Sequence, residues 1–513
     1  MAQDISRPGF LARFLNKIEY AGNKLPQPVT LFLILIAFVL IASWAASVAN
    51  ISVVYPGTED TDEVVRVHPV NLLSGEQIQR MLINMTKNFT DFPPLGVVLV
   101  VMLGIGVAER TGLIAVGLKA FVSWMPPWLI TIALVTAGQL SSIAADAGYV
   151  VLVPLGAAIF WGMGRHPLAG LAAAFAGVSG GYGANVIITS LDPLLAGFTE
   201  KAAQIVDPNY VVDPTANWWI MATLVPVTSL AGWYVTERII EPRLGKYEDA
   251  EGLVRDESAR IKPEERNGLT AALLTVVAAL GVVAWMAIPS NGILRDANGG
   301  IRPLIDSIVP LMMIIFILPG IVYGLVTKTI RSDKDAARMT ADSMASMGGY
   351  IVLAFVAAQF VAFFNWSNLG IITAIAGADA LKAINLTGIP LIVAFVLVAS
   401  LVNIVIGSAS AKWAIMAPVF VPMFMLLGYS PELTQAAYRI GDSYTNILTP
   451  LLPYFPLIIT FAQKYVKQTG IGTIIALMLP YAIAIAVVRI PVLIVWMLLK
   501  LPLGPGAPMN YPL

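Results

Sequence analysis

Asp442 and Asn446 stand four residues apart, so on a helix they share one face. Asn403 lies upstream in an apolar arm. A carboxylate and two amide oxygens suit a hard cation such as sodium, helped by carbonyls freed where a helix breaks. Asp442 could instead pair with Arg439 or Lys412 and only fix packing. The planar fork of Arg439 matches a carboxylate, which makes it either the anchor of an anionic substrate or the structural partner of Asp442. Lys412 could hold an anion or reach for the membrane interface. Trp413, near Ser410, could stack on an aromatic ring or sit at headgroup level. Asp192, directly before Pro193, could take up a proton inside a bundle or cap a helix end. Asp146 is a similar candidate.

The surroundings give these residues their weight. A charge near the bilayer centre costs about 2.5 to 3.5 kcal/mol on insertion scales. Between Ile389 and Pro456 two apolar arms flank a small, polar tip, Gly407 to Trp413, and Pro418, Pro422 and Pro431 interrupt the return. The next apolar segment carries Arg439, Asp442 and Asn446 and is broken at Pro450 and Pro453. Helix breaks at membrane depth survive only inside protein or beside a water-filled cavity. This stretch therefore reads as a re-entrant hairpin followed by a discontinuous helix, the usual housing of substrate and ion sites in secondary transporters.

Composition sets the class. The 513 residues are 58% hydrophobic and only 12% charged, against about 25% charged in soluble domains. Several apolar runs exceed the roughly 18 residues of a transmembrane helix, so the fold class is an all-α polytopic membrane protein. The formal net charge is zero, which gives no case for nucleic acid. Cysteine is absent, so disulfides and thiolate sites are excluded. His68 and His166 are far apart, which disfavours a histidine zinc site. There is no phosphate-binding GxxxxGK[ST] loop to point to ATP and no HExxH motif. Gly181-Tyr-Gly183 is similar to a potassium filter, but the preceding Thr-Val is missing and Asn185 follows.

Loop basicity orders the spans. Residues 1 to 27 form a basic cytoplasmic segment, and 28 to 93 hold the first span and a polar outside loop. A first half, 94 to 236, contains a hairpin at about 128 to 165 and a broken span at 167 to 197. Residues 237 to 342 supply a cytoplasmic loop and connecting spans. A second half, 343 to 513, contains the hairpin at about 389 to 428 and the broken span at 431 to 463. The reading is nine transmembrane helices plus two re-entrant hairpins, with broken helices at the midplane. The halves enter from opposite sides, as an inverted repeat. Pro154 and Pro167 are 13 residues apart, as are Pro418 and Pro431, and Asn185 and Asn446 follow the second proline of each pair.

Long stretches carry a more specific signal: GNKLPQPVTLF (22 to 32), GRHPLAGLAAAFAGVSGGYGAN (164 to 185), IIEPRLGKY (239 to 247), IPSNGILRD (288 to 296), FNWSNLG (364 to 370), and SAKWAIMAPVFVPMFMLLGYSPE through YRIGDS (410 to 443). On these the chain resembles the p-aminobenzoyl-glutamate transporter (AbgT) family from end to end. The resemblance implies a homodimer in a bacterial inner membrane, each subunit with nine spans and two hairpins. It implies ion-driven movement of p-aminobenzoyl-glutamate or p-aminobenzoate-like aromatic carboxylates, or export of sulfonamide antimetabolites. Position by position, it puts transport roles on Asp192, Ser410, Trp413, Pro431, Arg439, Asp442 and Pro450. It puts a bound sodium ion on Asn403, Asp442 and Asn446, with no other cofactor. The family gives no reason to expect a required charge at Lys412. A sodium-coupled dicarboxylate symporter with the same inverted-hairpin plan is the alternative, and an enzyme is not expected.

Overall fold

The computed structural model describes residues 26–55, 65–143, 148–247, 261–297 and 299–512. Asp146, part of the first hairpin's tip and most of the N-terminal basic segment lie outside them. Among the described residues eight helices are long and apolar enough to cross a membrane. One of these, Gly388–Val405, is the outgoing arm of the second hairpin, and two broken helices complete the nine crossings.

Both hairpins form where small and polar residues interrupt apolar arms. The first runs through Ile130–Leu140 and returns through Val153–Gly162, with a π-helical turn at Gly148–Leu152. The second turns after Gly388–Val405, where Ser408 caps the return helix Ala409–Met425. Each hairpin leads into a broken helix that opens with proline in its first turn and a side-chain cap: His166 before Pro167, Ser430 before Pro431. Proline's fixed φ suits that position and its missing N–H costs nothing there. The first broken helix comprises Pro167–Phe175, a π-helical stretch Ala176–Gly180, a break, and Leu191–Ala203. The second comprises Pro431–Tyr444, a break, and Phe455–Gln463.

The repeat is visible in the packing as well as the order. Gly177 and Gly441 each follow the opening proline of a broken helix by ten residues. A Cβ on Gly177 would lie 2.5 Å from the Val135 carbonyl oxygen, and one on Gly441 would lie 2.4 Å from that of Val396. Both glycines thus let a hairpin's outgoing arm lie directly against the broken helix that follows it, the small-residue contact membrane helices use in place of a hydrophobic drive. The return arms cross over: Ala409–Met425 packs on Leu191–Ala203, and Val153–Gly162 touches Phe455–Gln463. The halves are therefore interlocked, and every residue from Pro431 to Tyr444 is buried.

The structure departs from the sequence reading outside this core. The loop 51–93 contains a β-ribbon, Val53–Tyr55 with Val65–Val67, and a helix, Gly75–Thr90, whose buried residue is Met81. Its polar average hid a helical period. The second half, expected from residue 343, has its first spanning helix at Gly348–Trp366, because Ser343 belongs to a separate polar helix, Asp333–Ser346. Within the first half a short helix, Leu113–Ser123, precedes the hairpin and is bent by 117° from its outgoing arm.

Candidate functional site

A cavity of about 760 Å³ lies where the four interrupted segments meet. Ser141 and Ser142 reach it from the first hairpin, Ser408 and Ser410 from the second. Tyr182 and Ser190 line it from the first break, Asn446 and Leu451 from the second. Tyr149 and Tyr454, also in the wall, stack with centroids 4.3 Å apart and planes 9° from parallel. Asn185 donates to Ser142 Oγ at 2.8 Å and so ties the first break to the first hairpin. The cavity extends to Gln27 and Met347, at the starts of the helices Pro28–Val48 and Gly348–Trp366.

Asn403 and Asp442 come together with Asn446 at the cavity wall, the grouping the family resemblance implies. The Asn403 amide N–H group donates to Thr445 Oγ1 at 2.8 Å, to Asn446 Oδ1 at 2.9 Å and to the Asp442 carbonyl. The cation they face is the chain's own. The ammonium of Lys412, fully buried, contacts both Asn403 Oδ1 and Asp442 Oδ1. The only carboxylate of the cluster is thereby neutralised, and Asn446 turns its oxygen to Asn403. As arranged, these residues do not fit a bound sodium ion. A second buried cation would be left with no opposite charge, at a cost of several kcal/mol.

Arg439 pairs with Asp192, not with Asp442. Its Nη1 lies 2.7 Å from Asp192 Oδ1, and its Nη2 donates to the Gly183 carbonyl at 3.0 Å. Its Nε–H is buried without a partner. Asp192 Oδ2 accepts from the Thr189 backbone N–H at 2.6 Å and from the Thr189 hydroxyl at 2.9 Å. The residue therefore both caps the outer part of the first broken helix and joins the two halves.

Trp413 is fully buried and does not line the cavity. Its ring stacks on Tyr438 with centroids 4.4 Å apart, and its Nε1–H donates to Thr199 Oγ1 at 2.9 Å. Thr199 donates in turn to Gln435 Oε1 at 2.5 Å, and Gln435 donates to Asn217 Oδ1 at 2.8 Å. Here the indole fastens the second hairpin to the first broken helix, and the aromatic rings in the cavity wall are those of Tyr149, Tyr182 and Tyr454. Ser410 faces the cavity, Pro431 opens the second broken helix, and Pro450 sits within its break.

Comparison with known proteins places this geometry. Residues 13–511 match the "AbgT putative transporter family". The chain belongs to that family. It is 39% identical over 492 residues to the p-aminobenzoyl-glutamate transport protein of Escherichia coli, covering 95% of each. Its fold is similar to that of MtrF from Neisseria gonorrhoeae, described with a class of antimetabolite efflux pumps. The TM-score is 0.91 at 47% identity, over 97% of this chain and 100% of that one. It is also similar to the YdaH transporter of Alcanivorax borkumensis, described as having an unusual topology. There the TM-score is 0.88 at 40% identity, over 94% and 100%.

This AbgT chain is a multi-pass membrane transporter and not an enzyme. Gly177-Val-Ser179-Gly-Gly181 does spell the Gly-x-Ser-x-Gly pattern of hydrolases, but Ser179 is fully buried and its hydroxyl has no partner, base included. Sequence reading passed over Arg489, which is buried in the last helix. Its Nη1 donates to Ser443 Oγ at 2.6 Å and its Nη2 to the Gly181 carbonyl at 3.1 Å, while Nε donates to Thr228 Oγ1 at 2.9 Å. It also passed over Glu432, whose carboxylate accepts from the Tyr210 hydroxyl at 2.9 Å. The signal was available for Arg489: a charge in the middle of a 28-residue apolar helix is a functional candidate by default.

Proposed function

We propose that this AbgT-family chain is a secondary transporter that carries p-aminobenzoyl-glutamate and p-aminobenzoate-like carboxylates through the cavity, driven by an ion gradient. The observation that carries the reading is the make-up of the cavity wall, where hydroxyls and an amide from both halves meet tyrosine faces in one space of about 760 Å³. That volume is within the range of small-molecule sites, which are apolar or aromatic with a few placed polar groups. Tyr149, Tyr182 and Tyr454 suit an aminobenzoyl ring. Arg439, which bonds the carbonyl next to Tyr182, is the candidate for the anionic end. A dicarboxylate such as succinate would make no use of the tyrosines, so the aromatic cargo is the better fit. The E. coli relative's name, a p-aminobenzoyl-glutamate transport protein, supports it, and the Neisseria relative is described with antimetabolite efflux pumps. Sulfonamides, whose ring imitates p-aminobenzoate, are the antimetabolites this cavity would suit.

Spans built from apolar helices belong to a bacterial inner membrane, since outer-membrane spans are barrels. The cavity reaches helix ends that loop basicity puts in the cytoplasm, which supports reading this conformation as inward-open. Transport would move the hairpins and broken helices against the remaining helices, with the subunit paired as a homodimer. A coupling ion shifts that balance only by its differential affinity for the two states. The test is flux of labelled p-aminobenzoyl-glutamate in proteoliposomes, with sodium and proton gradients imposed separately and in both orientations. Saturable flux competed by p-aminobenzoate and a sulfonamide is expected. Competition by succinate with no movement of p-aminobenzoyl-glutamate would replace the reading with the dicarboxylate one.

A further inference from the structure

We propose that the ammonium of Lys412 is the resident cation of the second hairpin's oxygen cluster, and that no free sodium ion binds there while the lysine is present. Hydrogen bonding, charge and geometry all bear on this. Asn403 presents its carbonyl oxygen to Lys412 and its amide N–H group to Asn446, Thr445 and the Asp442 carbonyl, so the cluster's donors and acceptors are matched with the ammonium included. The charge is matched as well. Arg439, one turn before Asp442, is neutralised by Asp192, which leaves Asp442 and Lys412 to balance each other. The geometry is also that of a tie. Lys412 extends from the first turn of the return arm, Asn403 lies in the outgoing arm, and Asp442 lies on the broken helix.

A mobile ion in such a place would hold the hairpin to the broken helix only when bound. A side-chain ammonium holds it without dissociating from the chain, so the hairpin's closure is not conditional on sodium. Removing the lysine changes the chemistry. Lys412→Ala leaves a carboxylate and an amide oxygen facing a vacated pocket, a donor set that suits a small hard cation. Which cation fills the cluster goes beyond the identity of the cargo and does not depend on it.

The experiment measures thermal unfolding and binding of radioactive sodium on the purified full chain, with sodium chloride against choline chloride at equal ionic strength. Neither readout involves a substrate, so an error about p-aminobenzoyl-glutamate cannot disturb it. Wild type is expected to show the same Tm in both salts. Lys412→Ala is expected to be destabilised in choline, to regain a few degrees of Tm saturably in sodium, and to bind sodium. Adding Asp442→Asn to that variant should abolish both gains. Wild-type sodium binding that Asp442→Asn removes would overturn the proposal, and so would a folded Lys412→Ala protein indifferent to sodium. If Lys412→Ala does not fold, the wild-type and Asp442→Asn measurements decide alone: no Asp442-dependent sodium binding supports the resident lysine, and its presence refutes it.

Discussion

Nη1 of Arg439 lies 2.7 Å from Oδ1 of Asp192, and this pair joins the second broken helix to the first. Both side chains are almost wholly buried, 3% and 10% exposed. Neutralising one of them leaves the other charged with no partner, at about 3 to 5 kcal/mol. Asp192→Asn keeps the acceptor for Thr189, so its loss reports on charge rather than on capping. We expect Asp192→Asn and Arg439→Gln each to lower Tm and reduce flux at least tenfold. The double variant should regain most of the Tm while flux stays low, because the proposed anionic cargo would lose its guanidinium. Recovery of both would reduce the pair to a packing role. Scanning fluorimetry and proteoliposome flux on the three variants separate these outcomes.

Trp413 is placed to hold the halves together. Trp413→Phe keeps the ring against Tyr438 and removes the N–H that reaches Thr199, at about 1 kcal/mol for one hydrogen bond. The expected result is a lower Tm with KM for p-aminobenzoyl-glutamate unchanged within about twofold. Tyr149→Ala and Tyr454→Ala should do the reverse and raise KM, because those rings form the cavity wall. A KM change in Trp413→Phe as large as in the tyrosine variants would return the indole to the substrate site.

His166 gives a pH dependence with a definite sign. It stands outside the spanning segments, and its Nδ1 accepts from the Leu168 N–H at 3.2 Å to cap the first broken helix. Burial pushes its pKa below the ordinary 6.5, and the nearby Glu241 offsets only part of that. The folded state therefore favours the neutral ring, and an unfolded chain takes up the proton first. The contribution is fully present above pH 6.5 and is lost as pH falls through the folded value. His166→Asn keeps a capping oxygen that does not titrate. Tm measured from about pH 5 to pH 8 should fall on the acid side in wild type and less steeply in His166→Asn. Equal slopes would mean that other groups set the acid limit.

The core of the fold was legible because its signals are exceptions to membrane composition. A lipid-facing helix would not tolerate Pro418, Pro431 and Pro450 together with a polar tip between apolar arms. The matching intervals from Pro154 to Pro167 and from Pro418 to Pro431 located the repeat. Partner choice was legible only as alternatives: Lys412 was one of two partners open to Asp442, and nothing pointed Arg439 to Asp192. Arg439 and Asp442 are three apart, so sequence spacing allows them to pair, but their side chains leave the helix toward different neighbours. Asp442 meets Lys412 from the hairpin, and Arg439 meets Asp192 from the other half. No interval along the chain records which neighbour each side of that helix meets. The helix Gly75–Thr90 was missed for a different reason: its average is polar, and only its period betrays a helix.

Arg489 supports the break on which the first half depends. Its guanidinium binds the Gly181 carbonyl, Ser443 of the second broken helix and Thr228 of the helix Trp218–Val235, all neutral oxygens. Gly183, two residues on, has a left-handed φ of +82°. The chain there has left the helical ladder, and its carbonyls need donors from elsewhere. Three elements converge on one planar fork, and lysine cannot reproduce that geometry. Arg489→Lys should therefore lose at least tenfold in flux although its charge is conserved. Arg489→Met, which fills the volume but leaves the carbonyls without a donor, should lose as much flux and also about 1 to 3 kcal/mol of stability. Flux of p-aminobenzoyl-glutamate and Tm measured on both variants check this. Near-normal flux in Arg489→Lys would mean that only the charge matters, and the carbonyls of the break would then have to be satisfied by water from the cavity.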